Sequence, residues 1–209
     1  MLFKVLFTGE HTNHDLGTHY EIHPLTSSVC YLSDGTHQVL FDTGSLAWQE
    51  KLLKELANLG VSPDDITHVC LTHFHLDHTA NCILFKNAEI HASRSVVDQK
   101  TGYCKVFRDM HQNKLPCGIE VFPTPGHTPD HVSYFFTVEG TKYCIAGDAI
   151  REDTILEGGA PHYFSEERKK EFKHSMQMIF EHSEVIIPGH FGVIEGSYKE
   201  KLQELITGI

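Results

Sequence analysis

The residues best suited to chemistry in this chain are six in a row, His73-Phe74-His75-Leu76-Asp77-His78. Four of the six bear metal-ligating side chains, three imidazoles and a carboxylate. A regular helix or strand would spread them over several faces. A tight loop can wrap them around a small volume, which suits two ions a few ångströms apart better than one. Three further candidates stand in matching contexts: His127 in Pro125-Gly126-His127-Thr128, Asp148 in Ala146-Gly147-Asp148, and His190 in Pro188-Gly189-His190. Each follows an apolar, strand-like run and adjoins a glycine, which lets the backbone turn sharply and approach an ion closely. Strand ends at one edge of a sheet can converge on a single crevice, a usual place for an active site.

Imidazole with carboxylate is a borderline N/O donor set that favours zinc, with manganese, iron or cobalt admissible in the same geometry. Two such ions roughly 3.5–4 Å apart can hold a hydroxide at neutral pH and polarise a carbonyl or phosphoryl oxygen. The expected cofactor is therefore two zinc ions.

The elements that must present these groups are short. Residues 2–8 read as a strand and residues 9–26 as a polar, histidine-rich loop. Strands at 28–32 and 38–41 flank the turn Ser33-Asp34-Gly35-Thr36. Trp48, Leu52, Leu53, Leu56 and Leu59 recur at helical spacing, with Gly60 as the stop. Ser62-Pro63-Asp64-Asp65 has the form of a capping box opening a helix. Further strands are expected at 67–72, 119–123, 132–138, 142–147 and 184–187. Ser165 should open a helix whose apolar face is Phe172, Met176, Ile179 and Phe180. Strands in two groups with interspersed helices predict a layered α/β domain.

The 209 residues fit one domain, and 40% apolar with 22% charged residues is ordinary for a globular core. No run approaches the roughly 18 apolar residues of a membrane span. Lys4 interrupts the apolar start, so it reads as a strand and not a signal peptide. The six cysteines form no C-x-x-C pair and mostly lie in or beside apolar runs. A reducing, cytoplasmic setting is expected rather than a disulfide frame. A net charge of -11 argues against non-specific polyanion binding without excluding a local basic patch. No oligomeric state is assigned.

The motif His73–His78 with His127, Asp148 and His190 resembles the metallo-β-lactamase superfamily, from about residue 2 to residue 195. The stretches 72–85, the Gly102-Tyr103 region and 187–191 are similar to its small branch of metallo-β-lactamase domain-containing proteins. The resemblance implies an αββα sandwich in a single domain, 1–209. It implies one metal on His73, His75 and His127 and a second on Asp77, His78 and His190, with Asp148 bridging. Asp77 and Asp148 are then the catalytic carboxylates. Asp42, in Asp42-Thr43-Gly44, matches a position that supports the ligands from behind, though it could equally begin a turn or cap a helix. His131 matches another near-site position, with core packing as the alternative. Ala80 departs from the family's frequent glycine. His75 departs from the flavodiiron branch, which has glutamate there and reduces oxygen.

Other histidines read as less eventful. His68 and His91 lie in strand contexts and are expected to pack. His11, His14, His19 and His23 are expected in a solvated loop. Tyr103 and His162 are candidate proton donors. Residues 9–26, 99–118 and 150–164 should shape the pocket, with Gly158-Gly159-Ala160-Pro161 suited to a lid. The gap from Asp148 to His190 is short for an inserted nuclease domain, and no helical substrate domain is expected after His190. No Arg/Lys cluster marks these loops. The resulting expectation is hydrolysis of a small ester, thioester, lactone or related acyl substrate. The alternatives are phosphodiester or RNA cleavage, so nucleic acid stays open as a partner, and a mononuclear iron sulfur dioxygenase.

Overall fold

The computed structural model describes residues 1–156 and 164–208. The proposed lid Gly158-Gly159-Ala160-Pro161 and the candidate His162 lie outside the described residues. In chain order come β1 (Leu2–Phe7), β2 (Glu10–Asp15), β3 (Tyr20–Thr26), β4 (Val29–Ser33), β5 (Gln38–Phe41) and helix α1 (Gln49–Asn58). Strand β6 (His68–Leu71) leads through the one-turn helix α2 (Leu76–Thr79) to β7 (Glu89–Ala92), β8 (Ser95–Asp98) and β9 (Cys104–Val106). The second part holds β10 (Glu120–Pro123), β11 (Val132–Val138), β12 (Thr141–Gly147), α3 (Glu152–Leu156), α4 (Glu166–His182), β13 (Val185–Pro188) and α5 (Gly196–Gly208).

The strands form a seven-stranded sheet, β1-β4-β5-β6-β7-β8-β9, a four-stranded sheet, β10-β11-β12-β13, and a separate ribbon, β2-β3. The period of two along each strand sorts side chains into layers. Val29, Tyr31, Leu40, Val69 and Leu71 pack against Leu52 and Leu56 of α1. Their neighbours Cys30, Leu32, Val39, Phe41 and Cys70 face Val121, Tyr134, Phe136 and Ile145 of the second sheet. The far side of that sheet, with Cys144, Ala146 and Ile186, packs on Phe172, Met176, Ile179 and Phe180 of α4 and Leu202 and Ile206 of α5. The layers are therefore αββα, as the resemblance implied. Fully burying one such leucine or isoleucine stabilises the sandwich by about 1.5–3 kcal/mol.

The central pairs β5–β6, β6–β7 and β12–β13 are parallel. The C-terminal ends of β5, β6, β12 and β13 release Asp42, His73, Asp148 and His190 respectively, and the loop after β10 carries His127. Helix α1 ends as expected, with Gly60 at φ +73°. Ser165 caps α4 through its hydroxyl, which accepts from the Arg168 N–H at 3.2 Å.

Three expectations need correction. Residues 9–26 are not a loop but the β2–β3 hairpin, turning near Gly17 (φ +81°). Most residues of both strands remain solvent-accessible, so no apolar alternation announces them. The capping box at Ser62 and Asp65 forms, but it opens only a single 3-10 turn, Pro63–Asp65. Strands β7 to β9 and helix α5 were not anticipated. β7 to β9 are only three or four residues long, and β8 and β9 carry no fully buried residue to set a period.

Candidate metal centre

The loop after β6 is held by the backbone of its neighbours. Ser27 N–H donates to the Asp77 carbonyl (3.1 Å) and Thr43 N–H to the His78 carbonyl (2.7 Å). On the opposite sheet, α4 fixes the His127 loop: Arg168 Nε donates to the Gly126 carbonyl (2.6 Å), Arg168 Nη2 to the His127 carbonyl, and the Ser175 hydroxyl to the Pro125 carbonyl (2.7 Å). Gly189 is required by crowding. A Cβ there would lie 2.0 Å from Asp148 Oδ1 and 3.0 Å from His78 Cε1. At Gly147, with φ +52°, a Cβ would meet Thr72 Oγ1 at 2.6 Å.

All seven residues expected as ligands converge. His75 Nδ1 lies 2.9 Å from His73 Nε2 and 3.0 Å from His127 Nε2. Asp77 Oδ2 lies 3.5 Å from His78 Nε2 and 3.4 Å from His190 Nε2. Asp148 stands between the two groups. Its Oδ2 is 3.3 Å from His127 Nε2, while its Oδ1 is 3.3 Å from His78 Nε2 and 3.4 Å from His190 Nε2. Each trio, His73/His75/His127 and Asp77/His78/His190, has its donor atoms within 4.8 Å of one another.

The hydrogen bonds behind these residues orient their rings. His190 Nδ1–H donates to the Thr26 carbonyl (3.0 Å), leaving the Nε2 lone pair facing the aspartates. His78 Nδ1–H donates to Asp42 Oδ2 (2.8 Å). Asp42 also accepts from the Thr72 N–H (2.8 Å, Oδ1) and the Thr72 hydroxyl (2.9 Å, Oδ2). That hydroxyl, having given its proton, accepts from His73 Nδ1–H at 3.1 Å. Asp42 thus orients His78 directly and His73 through Thr72, one ring in each trio. Its own backbone sits at φ +53°, an uncommon conformation for a residue with a Cβ.

Burial lowers the pKa of His127 to about 4, offset in part by Asp148. Burial likewise holds His73 far below the ordinary histidine value. At His78 burial opposes the charged form, but Asp42 and Asp148 outweigh it and raise the pKa. At Asp148 burial acts against ionisation, and His190 and His78 overcome it. The donors fit divalent cations. His78 Nε2 and Asp148 Oδ1 are buried without a hydrogen-bond partner, and such orphaned groups cost roughly 1–3 kcal/mol each. Cations between the trios would satisfy both.

His131 comes close without joining either trio. It is buried, its Nδ1 meets the Thr124 hydroxyl at 2.8 Å, and its ring centre lies 5.1 Å from that of His73. Tyr103 is exposed beside β9. The sequence reading missed Thr72, the Thr26 carbonyl and His11. The β2–β3 hairpin carries the His11 ring to 5.0 Å from the His190 ring. No signal distinguishes His11 from its polar neighbours, whereas Thr72 could have been picked out by adjoining His73. Arg151, whose charge reaches His11 and His127, is held by Asp153 through bonds of 3.2 and 2.7 Å.

An αββα sandwich with a His/Asp cluster at its strand ends fits a metal-dependent hydrolase. A profile described as the metallo-beta-lactamase superfamily matches residues 23–116. Metallo-beta-lactamase domain-containing protein 1 of Xenopus laevis is 37% identical over 166 residues, covering 76% of this chain and 68% of that protein. A Methanocaldococcus jannaschii protein named as a probable metallo-hydrolase is 32% identical over 165 residues, covering 78% and 74%. A solved Thermotoga maritima structure of metallo-beta-lactamase type superposes with a TM-score of 0.68 at 24% identity, covering 93% of this chain and 98% of that one. The chain belongs to the metallo-β-lactamase superfamily.

Proposed function

We propose that this protein is a binuclear zinc hydrolase acting on a small acyl substrate such as an ester, thioester or lactone. The observation that carries the binuclear reading is Asp148, whose two carboxylate oxygens face different histidine groups at 3.3–3.4 Å. His73, His75 and His127 would hold one ion, and Asp77, His78 and His190 the other. Ions bound there supply hydroxide at neutral pH and polarise a substrate oxygen. The chain's own contribution is preorganisation. Asp42, Thr72 and the Thr26 carbonyl engage Nδ1 of His78, His73 and His190, so each Nε2 is turned toward the metal positions and a cation there would take the place of any proton on it. Asp77 and Asp148 supply negative charge that offsets bound cations.

The preference for an acyl over a phosphodiester substrate rests on the cations near the site. Among the described residues, Arg151 acts on His11 and His127 and Asp153 engages its guanidinium with two bonds, while Arg168 is spent on the Gly126 and His127 carbonyls. A phosphate-rich substrate calls for charge-assisted donors free to grip it. The test is a screen of zinc-loaded protein against thioester, lactone, β-lactam and bis-nitrophenyl phosphate substrates. Turnover of an acyl compound, lost in Asp148→Ala, is expected. Turnover of the phosphodiester alone would overturn the acyl assignment, and one metal per chain at saturation would overturn the binuclear one.

A further inference from the structure

His68 and His91, expected to serve packing alone, stand with Glu89 in a third cluster of donor atoms within 4.8 Å of one another. We propose that His68, Glu89 and His91 form a second, separate binding site for a divalent metal of the zinc class. The site is built by register. β6 and β7 run parallel with His68 opposite Glu89 and Cys70 opposite His91, so all four residues share the face turned toward the second sheet. His68 and Glu89 open their strands, away from the C-terminal end of β6 that releases His73.

Glu89 Oε2 lies 3.8 Å from His68 Nε2 and 3.6 Å from His91 Nε2. These separations are too long for hydrogen bonds and close to those between ligands of one ion with bonds of about 2.0–2.2 Å. At His68 the proton is placed for it. The Thr67 hydroxyl donates its proton to the Gln38 carbonyl (3.0 Å), so at 2.8 Å it accepts from His68 Nδ1–H. The Nε2 lone pair of His68 is then free toward Glu89. His91 is buried, and its Nε2 has no hydrogen-bond partner. Its Nδ1 accepts from Asn113 Nδ2 at 3.2 Å as the amide stands. An end-for-end turn of that amide offers its oxygen to Nδ1–H and frees Nε2 likewise. Metal-bound histidines regularly donate their other N–H in this way.

Burial brings the His68 pKa to about 4 and the His91 pKa to about 3, each reinforced by a neighbouring histidine. At neutral pH both rings are uncharged, so neither bridges to Glu89 through an added proton. A carboxylate facing two imidazole donors is the arrangement a cation completes. The Glu89 side chain is 53% exposed, which gives an ion access from solvent and leaves coordination positions open to water.

Equilibrium dialysis against zinc, followed by elemental analysis, tests the proposal on the intact chain. His68→Gln and Glu89→Gln should each bind one zinc per chain fewer than wild type, with unchanged circular dichroism and unchanged hydrolase activity. Both positions lie at strand starts with solvent access, so folding is retained even where a buried His91 variant fails. The comparison holds whether the hydrolytic centre takes one ion or two. Asp148→Ala should lose hydrolytic-centre zinc and keep the ion that His68→Gln loses. Equal stoichiometry in wild type, His68→Gln and Glu89→Gln would refute the site. So would an extra ion that a weak chelator strips equally from wild type and His68→Gln, marking it as adventitious.

Discussion

Asp42 Oδ2 lies 2.8 Å from His78 Nδ1, and both side chains are almost completely buried. The same oxygen takes the Thr72 hydroxyl proton at 2.9 Å, so one carboxylate determines where two candidate ligands keep their protons. Asp42→Asn should therefore cost activity more than stability. An amide tolerates the φ of +53°, but its NH2 group cannot accept from His78 Nδ1–H. Loss of such supporting partners costs ~10–100-fold in affinity or activity. Zinc competition with a chelator, read beside kcat/KM, checks it, and a variant with full affinity and full activity would reduce Asp42 to a turn residue.

Asp148 faces both histidine groups, and His190 belongs to one of them. Asp148→Ala should weaken zinc binding at both positions. His190→Ala should remove mainly the ion shared with Asp77 and His78, because its Nε2 groups with those two residues and not with His73, His75 and His127. Zinc stoichiometry of the two variants is the measurement. Equal loss of both ions in both would contradict the division of ligands.

Gly189→Ala tests crowding rather than ligation. The new methyl would begin 2.0 Å from Asp148 Oδ1, so either the carboxylate or the β13 loop must move. Zinc affinity is expected to fall together with stability, the latter by ~1–3 kcal/mol as for other overpacked sites. A normal zinc isotherm from the variant would show that the loop absorbs the change freely.

The buried neutral His91 predicts an acid-sensitive metal-free fold. Its pKa is about 3 when folded, against an ordinary 6.5. As pH falls below 6.5 the unfolded chain takes up a proton that the folded chain refuses, so stability is lost between pH 6.5 and about 3. The slope for one such group is ~1.4 kcal/mol per pH unit. Urea unfolding in chelator at pH 6.5 and 5 should show a smaller loss for His91→Gln than for wild type. Identical losses would mean that His91 is protonated in the fold.

The legible part of this molecule was the part with a strong period or a dense motif. Leu52 and Leu56 at helical spacing announced α1, and the residues after β6, β10, β12 and β13 announced the seven candidate ligands. The β2–β3 hairpin escaped because its strands lie mostly in solvent and carry little pattern. Asp42 could be named but not assigned, since a turn residue and a ligand support look alike until the Thr72 and His78 bonds are seen. His68, Glu89 and His91 were opaque for another reason. Their meeting depends on the β6–β7 register, which pairs residues about twenty positions apart and leaves no local trace.

The first sheet draws its strands from residues 2–106 and the second from residues 120–188. His73, His75, Asp77 and His78 hang on the first, and His127, Asp148 and His190 on the second. The cluster is thus a seam between two successive halves of the chain. Neither half alone holds either trio, so high-affinity binding should report that the halves have docked. An ion bound there would be a clasp as well as a reagent, and chelation should loosen the sandwich across that seam before it unravels either sheet.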